Sequence, residues 1–90
     1  MENTTKEKVL QAFCRVTNRL KKTGYTPENL APDTYLGGDM GIDSIEMLEI
    51  WYDLEQSLNI HIDDDRKRDI YTVGEAVDVV AAIVEEGCLV

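Results

Sequence analysis

One serine lies where its hydroxyl could carry a covalently attached group. Ser44 directly follows Asp43 at the predicted start of a helix, and either side chain could cap that start by accepting a free backbone N–H. Capping alone would therefore account for both residues. A hydroxyl at this point also lies at the positive end of the helix dipole, where unpaired N–H groups favour an anion. Ser44 is thus a candidate for a phosphate ester, although the carboxylates of Asp43 and Glu46 would oppose the added charge.

Other residue types that commonly do chemistry are scarce or poorly spaced. His61 is the only histidine, so the chain has neither a histidine cluster for a metal nor a base for a serine nucleophile, and we expect no enzyme activity. The acidic run 63–65 lacks the glycine and glutamate that a calcium loop needs further along, and we expect no metal site. Cys14 and Cys88 form no CxxC pair. We interpret them as free thiols, with a bridge between them possible only if the terminal helices meet.

Apolar periodicity predicts a single all-α domain spanning residues 1–90. Helices are expected over residues 5–22, 44–58 and 73–86, with a short one over 64–69, and no segment alternates long enough to form a strand. The pairs Thr4/Glu7 and Thr72/Glu75 have capping-box spacing. Prolines and glycines make residues 24–43 a long loop. We expect this loop to be ordered, because six apolar residues could attach it to the core: Tyr25, Leu30, Tyr35, Leu36, Met40 and Ile42.

The second predicted helix has two apolar faces. At about 100° per residue, a core stripe forms around Met47, with Ile50, Trp51, Leu54 and Leu58. Ile45, Leu48 and Tyr52 cluster about 130° away on one side, and Glu46, Glu49 and Asp53 about 130° away on the other. One core-facing stripe explains one apolar face, not two. The second face therefore packs under the long loop, or is an exposed patch that docks partner proteins with acidic residues at its rim, or is divided between these two roles.

Charge narrows the classes of partner. The 90 residues include 18 acidic and 9 basic side chains, for a net charge of −9. The excess of negative charge makes nucleic acid and anionic membrane surfaces poor binding partners, and it favours partner proteins with basic surfaces. No apolar run is long enough to span a bilayer, and the polar first residues contain no signal peptide. We therefore expect a discrete cytoplasmic protein, monomeric, that begins at Met1.

The segment G-I-D-S-I-E-M-L-E-I, residues 41–50, resembles the motif of acyl carrier proteins. That motif is Leu or Ile, then Asp, Ser, and Leu or Ile, followed by an acidic amphipathic helix. The resemblance continues through Leu54-Glu55, residues 62–65, residues 70–73 and Ala76-Val77, and it covers roughly residues 33–80. It implies a four-helix bundle with a long loop between helices 1 and 2 and a short helix 3.

The resemblance also implies a function. In this family a phosphopantetheinyl transferase moves 4′-phosphopantetheine from coenzyme A onto the motif serine, here Ser44, next to Asp43. The thiol of that arm carries acyl groups as thioesters, and the protein itself is not an enzyme. The transferase and synthase enzymes, such as a ketosynthase or an acyltransferase, dock basic patches against the second helix. By this mapping the partner-facing residues are Ile45, Glu46, Leu48, Glu49, Tyr52 and Asp53.

Several departures from fatty-acid carriers favour a polyketide or other specialised pathway. Trp51 and Tyr52 are bulky where smaller side chains are common, Asp63 stands where many relatives have proline, and residues 37–40 enlarge the loop before the motif. A peptidyl or aminoacyl carrier is an alternative, and so is an unmodified helical interaction module. The net charge and the G-I-D-S-I segment favour the acyl type.

Overall fold

Three α-helices form the domain in the computed structural model, which describes residues 5–22 and 24–87. They are α1 (Thr5–Lys21), α2 (Ser44–Leu58) and α3 (Val73–Gly87), and a 3-10 helix spans Asp64–Lys67. α1 packs against both α2 and α3. The all-α prediction is confirmed for the described residues. Thr4 of the first predicted capping box and Cys88 lie outside them.

α1 ends one residue earlier than the sequence predicts. Lys22 adopts a left-handed conformation (φ 55°), and its N–H donates to the carbonyl of Asn18 (2.7 Å). A left-handed residue satisfies a free carbonyl of the last helical turn, which stops the helix. The side-chain amide of Asn18 also exchanges two hydrogen bonds with the backbone of Tyr25, at 2.7 and 2.8 Å. The end of α1 thus fixes the beginning of the long loop.

The predicted short helix over 64–69 is a single 3-10 turn. The N-cap side chain of Asp63 makes no capping hydrogen bond, and Asp69 is left-handed (φ 59°), so neither end favours a longer helix. Arg66 in this turn donates to Glu86 of α3 at 3.0 Å. Two further ion pairs of this segment are local: Lys67–Asp64 and Arg68–Asp65. Four residues of 3-10 turn therefore stand where the family resemblance implies a helix.

One apolar core receives side chains from all three helices and from the loop. Phe13 of α1, Leu54 of α2 and Val80 of α3 are each at most 1% exposed. Cys14 is buried too, and burial raises the pKa of its thiol, with a smaller contribution from the Glu28 carboxylate. No helix within residues 5–22 and 24–87 has both the length and the apolar character needed to cross a membrane.

The long loop is packed against the start of α3. Four of its six predicted anchors are buried and Tyr25 is half-buried, but Tyr35 is 57% exposed, so its prediction as an anchor is wrong. Tyr35 instead faces Thr72 across an isolated antiparallel bridge. Around this bridge the Leu36 N–H donates to the Tyr71 carbonyl (2.8 Å), and the Gly74 N–H donates to the Pro32 carbonyl (2.8 Å). A Cβ on Gly74 would lie 3.0 Å from that carbonyl oxygen, so this approach favours glycine.

Candidate functional site

The N-terminus of α2 is capped by Asp43 and not by Ser44. The Asp43 carboxylate accepts the Glu46 N–H (2.8 Å), and the Glu46 carboxylate accepts the Asp43 N–H (3.1 Å), which completes a capping box. Two free N–H groups of the helix start are thereby satisfied without any contribution from a hydroxyl. The sequence left open which of the two residues caps the helix, and the structure assigns the role to Asp43.

Ser44 is consequently available for chemistry. It is the first residue of α2 and is exposed. Its hydroxyl makes no hydrogen bond to any of the residues that the structure describes. Because the neighbouring Asp43 caps the helix, the Ser44 hydroxyl is not needed for capping.

A cleft of about 490 Å³ opens beside Ser44. Its lining combines the motif with the packed loop and with the segment before α3, and it includes Leu36, Gly37, Ile42, Met47, Ile70 and the two exposed tyrosines, Tyr35 and Tyr71. Tyr71 is 62% exposed. Three of the loop residues that line the cleft, Tyr35, Leu36 and Ile42, are among those that the sequence predicts only as core anchors.

The backbone on the far side of this cleft is fixed by the cap of α3. The Glu75 carboxylate accepts the N–H groups of Tyr71 (2.8 Å) and Thr72 (3.1 Å), and the Thr72 hydroxyl accepts the Glu75 N–H (3.2 Å). The predicted Thr72/Glu75 capping box is therefore confirmed. These backbone donors, that of Tyr71 foremost, lower the pKa of Glu75, because they stabilise its ionised form.

The second apolar face of α2 is exposed. Ile45, Leu48 and Tyr52 are 70%, 62% and 60% exposed, and together with Glu49 and Asp53 they line a shallow groove of about 320 Å³. The long loop does not cover them, so the structure decides among the three interpretations in favour of an exposed patch. We call these five residues the α2 groove. Apolar side chains exposed together in this way mark interaction sites more often than scattered ones do.

Glu46 lies apart from the α2 groove, in a setting that differs from the predicted one. Its side chain is 23% exposed, and its carboxylate is 3.0 Å from the ammonium group of Lys21 on α1. On the helical wheel Glu46 lies only about 40° from Ile50, at the edge of the buried stripe. An acidic residue at that edge faces the neighbouring helix, and here that helix offers a cation.

Lys21, Tyr35 and Tyr71 are site residues that sequence reasoning missed. The position of Lys21 in the last turn of α1 indicates by itself only a favourable charge at the negative end of the helix dipole. Its partner is 25 residues away in the chain, so no local pattern reveals the pair. The two tyrosines come together through the bridge between the loop and the start of α3, which is also a long-range contact.

The family resemblance is confirmed by comparison with curated proteins, although no family model matches the chain. The acyl carrier protein of Tropheryma whipplei (strain Twist) is 35% identical over 78 residues, which are 87% of this chain and 93% of that protein. The acyl carrier protein of Renibacterium salmoninarum is 32% identical over 76 residues, 84% of this chain and 91% of that protein. A polyunsaturated fatty acid synthase subunit from a Thraustochytrium species is 37% identical over 67 residues, 73% of this chain and 2% of that protein. The exposed motif serine, the helical fold and this degree of identity agree: the chain belongs to the acyl carrier protein family.

Proposed function

We propose that this protein carries acyl groups on a 4′-phosphopantetheine arm attached to Ser44. The observation that carries the proposal is the exposed Ser44 at the start of α2, whose hydroxyl has no hydrogen-bond partner within residues 5–22 and 24–87 and is not needed for the cap that Asp43 and Glu46 form. The arm would supply a thiol that holds acyl groups as thioesters, while the protein supplies the attachment point and the recognition surface. In this role the protein is a carrier and not a catalyst.

The residues around Ser44 fit such a group. An arm linked to the hydroxyl would begin at a helix N-terminus, where the dipole favours its phosphate, and beside a cleft of about 490 Å³. The cleft gives the arm a mixed apolar and aromatic surface to lie on, and the exposed position leaves it free to swing outward. Tethering raises the concentration of the cargo at each enzyme that docks.

The α2 groove is the proposed docking surface for the transferase and for synthase enzymes such as a ketosynthase or an acyltransferase. Ile45, Leu48 and Tyr52 supply apolar contact area, and the carboxylates of Glu49 and Asp53 would attract basic patches on these enzymes. Each docking event must be brief, because the arm visits several active sites in turn. A small apolar patch with exposed charges suits weak, reversible binding.

A specialised pathway, such as polyketide biosynthesis, is proposed for the cargo. The support is the bulk of two adjacent residues of α2: Trp51, 3% exposed, occupies core space, and Tyr52 enlarges the outward face. One relative is a subunit of a polyunsaturated fatty acid synthase, which is in keeping with an acyl cargo. Parallel loading assays with acyl and aminoacyl donors test the cargo class; preferential loading of an amino acid would overturn the acyl assignment.

Mass spectrometry tests the attachment itself. The protein is incubated with coenzyme A and a transferase of broad specificity, and we expect a mass increase equal to one phosphopantetheine group. Ser44→Ala should abolish the increase. Ser57→Ala is the matched control, because Ser57 is the other serine of the chain and is exposed near the end of the same helix. An unmodified wild-type protein, or a modified Ser44→Ala variant, would contradict the proposal and favour the helical interaction module.

A further inference from the structure

Three pieces of the chain meet at the ammonium group of Lys21. This group is 3.1 and 3.0 Å from the two carboxylate oxygens of Glu46 and 3.1 Å from the carbonyl oxygen of Gly41. The side chains of Lys21 and Glu46 are only 27% and 23% exposed. A pair with three short contacts and little solvent access is more strongly held than an ordinary surface ion pair.

These contacts surround the residue proposed for modification. Gly41 (φ 69°) forms the turn that leads into α2, and Glu46 closes its first helical turn through the capping box with Asp43. Ser44 lies between these anchored positions in the chain. Lys21 therefore ties the end of α1 to both sides of the segment that presents the hydroxyl, through its ion pair with Glu46 and its hydrogen bond to the Gly41 carbonyl.

The same contacts occupy both carboxylate oxygens of Glu46 and leave its side chain only partly exposed to partners. One of its oxygens accepts both the Asp43 N–H and the Lys21 ammonium group, and the other also accepts from Lys21. The ammonium group also offsets the charge of the carboxylate that would oppose a phosphate on Ser44. By contrast, Glu49 lines the α2 groove and has no ion pair within residues 5–22 and 24–87.

We infer that the Lys21–Glu46 ion pair is a positioning device for the Ser44 segment, and that Glu46 influences modification through Lys21 and not by contacting the transferase. This inference rests on the proposed attachment at Ser44. With the pair broken, the Gly41–Glu46 segment populates its docking geometry for a smaller fraction of the time. The apparent affinity for the transferase falls in proportion to the population of the docking geometry, while the chemistry in the bound complex is unchanged.

The decisive experiment is a double-mutant cycle with the transferase. Modification kinetics are measured for Lys21→Met, Glu46→Gln and the double variant, with the intact chain as substrate. Each single change should raise KM about 3- to 10-fold and alter kcat less than about 2-fold. The double variant should be no worse than Lys21→Met alone, because that change already removes the contacts of Lys21 with both Glu46 and Gly41. Lys21→Arg should restore a KM near that of the wild type, since a guanidinium group also binds a carboxylate.

Glu49→Gln is the matched control, since it neutralises a glutamate of the same helix that faces outward. Its effect on KM should multiply with that of Lys21→Met, because the two residues share no contact. If Glu46→Gln also raised KM by its full factor in the Lys21→Met background, Glu46 would be a direct docking residue and the inference would be wrong. Unchanged KM in Lys21→Met would overturn it equally.

Hydrogen exchange separates this inference from the proposed function. Lys21→Met and Glu46→Gln should each accelerate exchange of the amides of residues 43–47 in the unmodified protein, with amides of α3 unaffected. This result needs no transferase. If the wild-type protein accepted no arm but these amides exchanged faster, attachment at Ser44 would fail while the positioning pair stood. Unaltered exchange in both variants would refute the pair even if Ser44 were modified normally.

Discussion

Helix α2 has two apolar faces, one buried in the core and the other exposed to solvent. Ile50, Trp51 and Leu54 on one face are 0–3% exposed, whereas Ile45, Leu48 and Tyr52 on the other are 60–70% exposed. The residue types are similar, and both sets lie on one helix of 15 residues. Burial of the first face stabilises the fold, because it removes apolar surface from water. The second face keeps most of its apolar surface in water and gains much less of this stabilisation, which leaves it available for the proposed docking.

The largest expected effect comes from matched truncations on the two faces. Leu54→Ala should lower the free energy of unfolding by about 2–5 kcal/mol, because it leaves a cavity in a packed core. Leu48→Ala removes the same atoms from an exposed site and should cost less than about 0.5 kcal/mol. Urea unfolding followed by circular dichroism measures both. Comparable losses would mean that the two faces do not differ as described.

Docking should show the reverse order. Ile45→Ala combined with Leu48→Ala should raise KM for the transferase about tenfold, because two apolar contacts are lost from the α2 groove. The melting temperature should stay close to that of the wild type. A variant that melts early, or that is modified with unchanged KM, would count against a docking role for this face.

Reversing one charge at the groove should have a smaller effect. Glu49→Lys should raise KM for the transferase about threefold at low ionic strength, and the difference should shrink as salt is added. Glu85→Lys, an exposed position on α3 outside the groove, changes the net charge equally and serves as its control. Equal effects of the two variants would indicate a general influence of net charge and no specific role for the groove.

Exposure alone does not show that a side chain has no role in the fold, and Glu75 is an example. Glu75 is exposed, yet its carboxylate caps α3, and its pKa is lowered by the backbone N–H groups of Tyr71 and Thr72. When the pKa of a carboxyl group is lower in the folded state than in the unfolded state, the group stabilises the fold at any pH above its unfolded-state pKa. That stabilisation is lost as the pH falls through the folded-state pKa. Glu75→Gln should therefore lower the melting temperature slightly at neutral pH and much less in acid. Melting curves across pH check this, and a difference that grew in acid would refute the capping role.

Both faces of α2 could be predicted from the sequence because helical rotation is local geometry. A 100° step places each side chain without any knowledge of the rest of the chain. The Thr72/Glu75 cap could be predicted for the same reason, since a capping box joins residues three apart.

The features that the sequence did not predict depend on distant parts of the chain. The helical pattern predicts Glu46 as an outward-facing acidic residue, but its carboxylate pairs with Lys21, which is 25 residues away in the sequence. Tyr35 looked like an anchor, but the bridge to Thr72 leaves its ring largely exposed beside the Ser44 cleft. Whether an apolar face is covered likewise depends on where a loop packs, so the exposure of Leu48 became clear only from the structure.

The burial of Cys14 has a practical consequence for labelling. Its raised pKa leaves little thiolate at neutral pH, and the surrounding core excludes reagents, so alkylation should be slow while the fold is intact. In a Cys88→Ser background, a sulfhydryl on an arm at Ser44 would be the one readily alkylated by a maleimide dye. Fluorescence of the protein band on a gel would then report whether the arm is attached. The labelling would be lost when an acyl group occupies the sulfhydryl as a thioester.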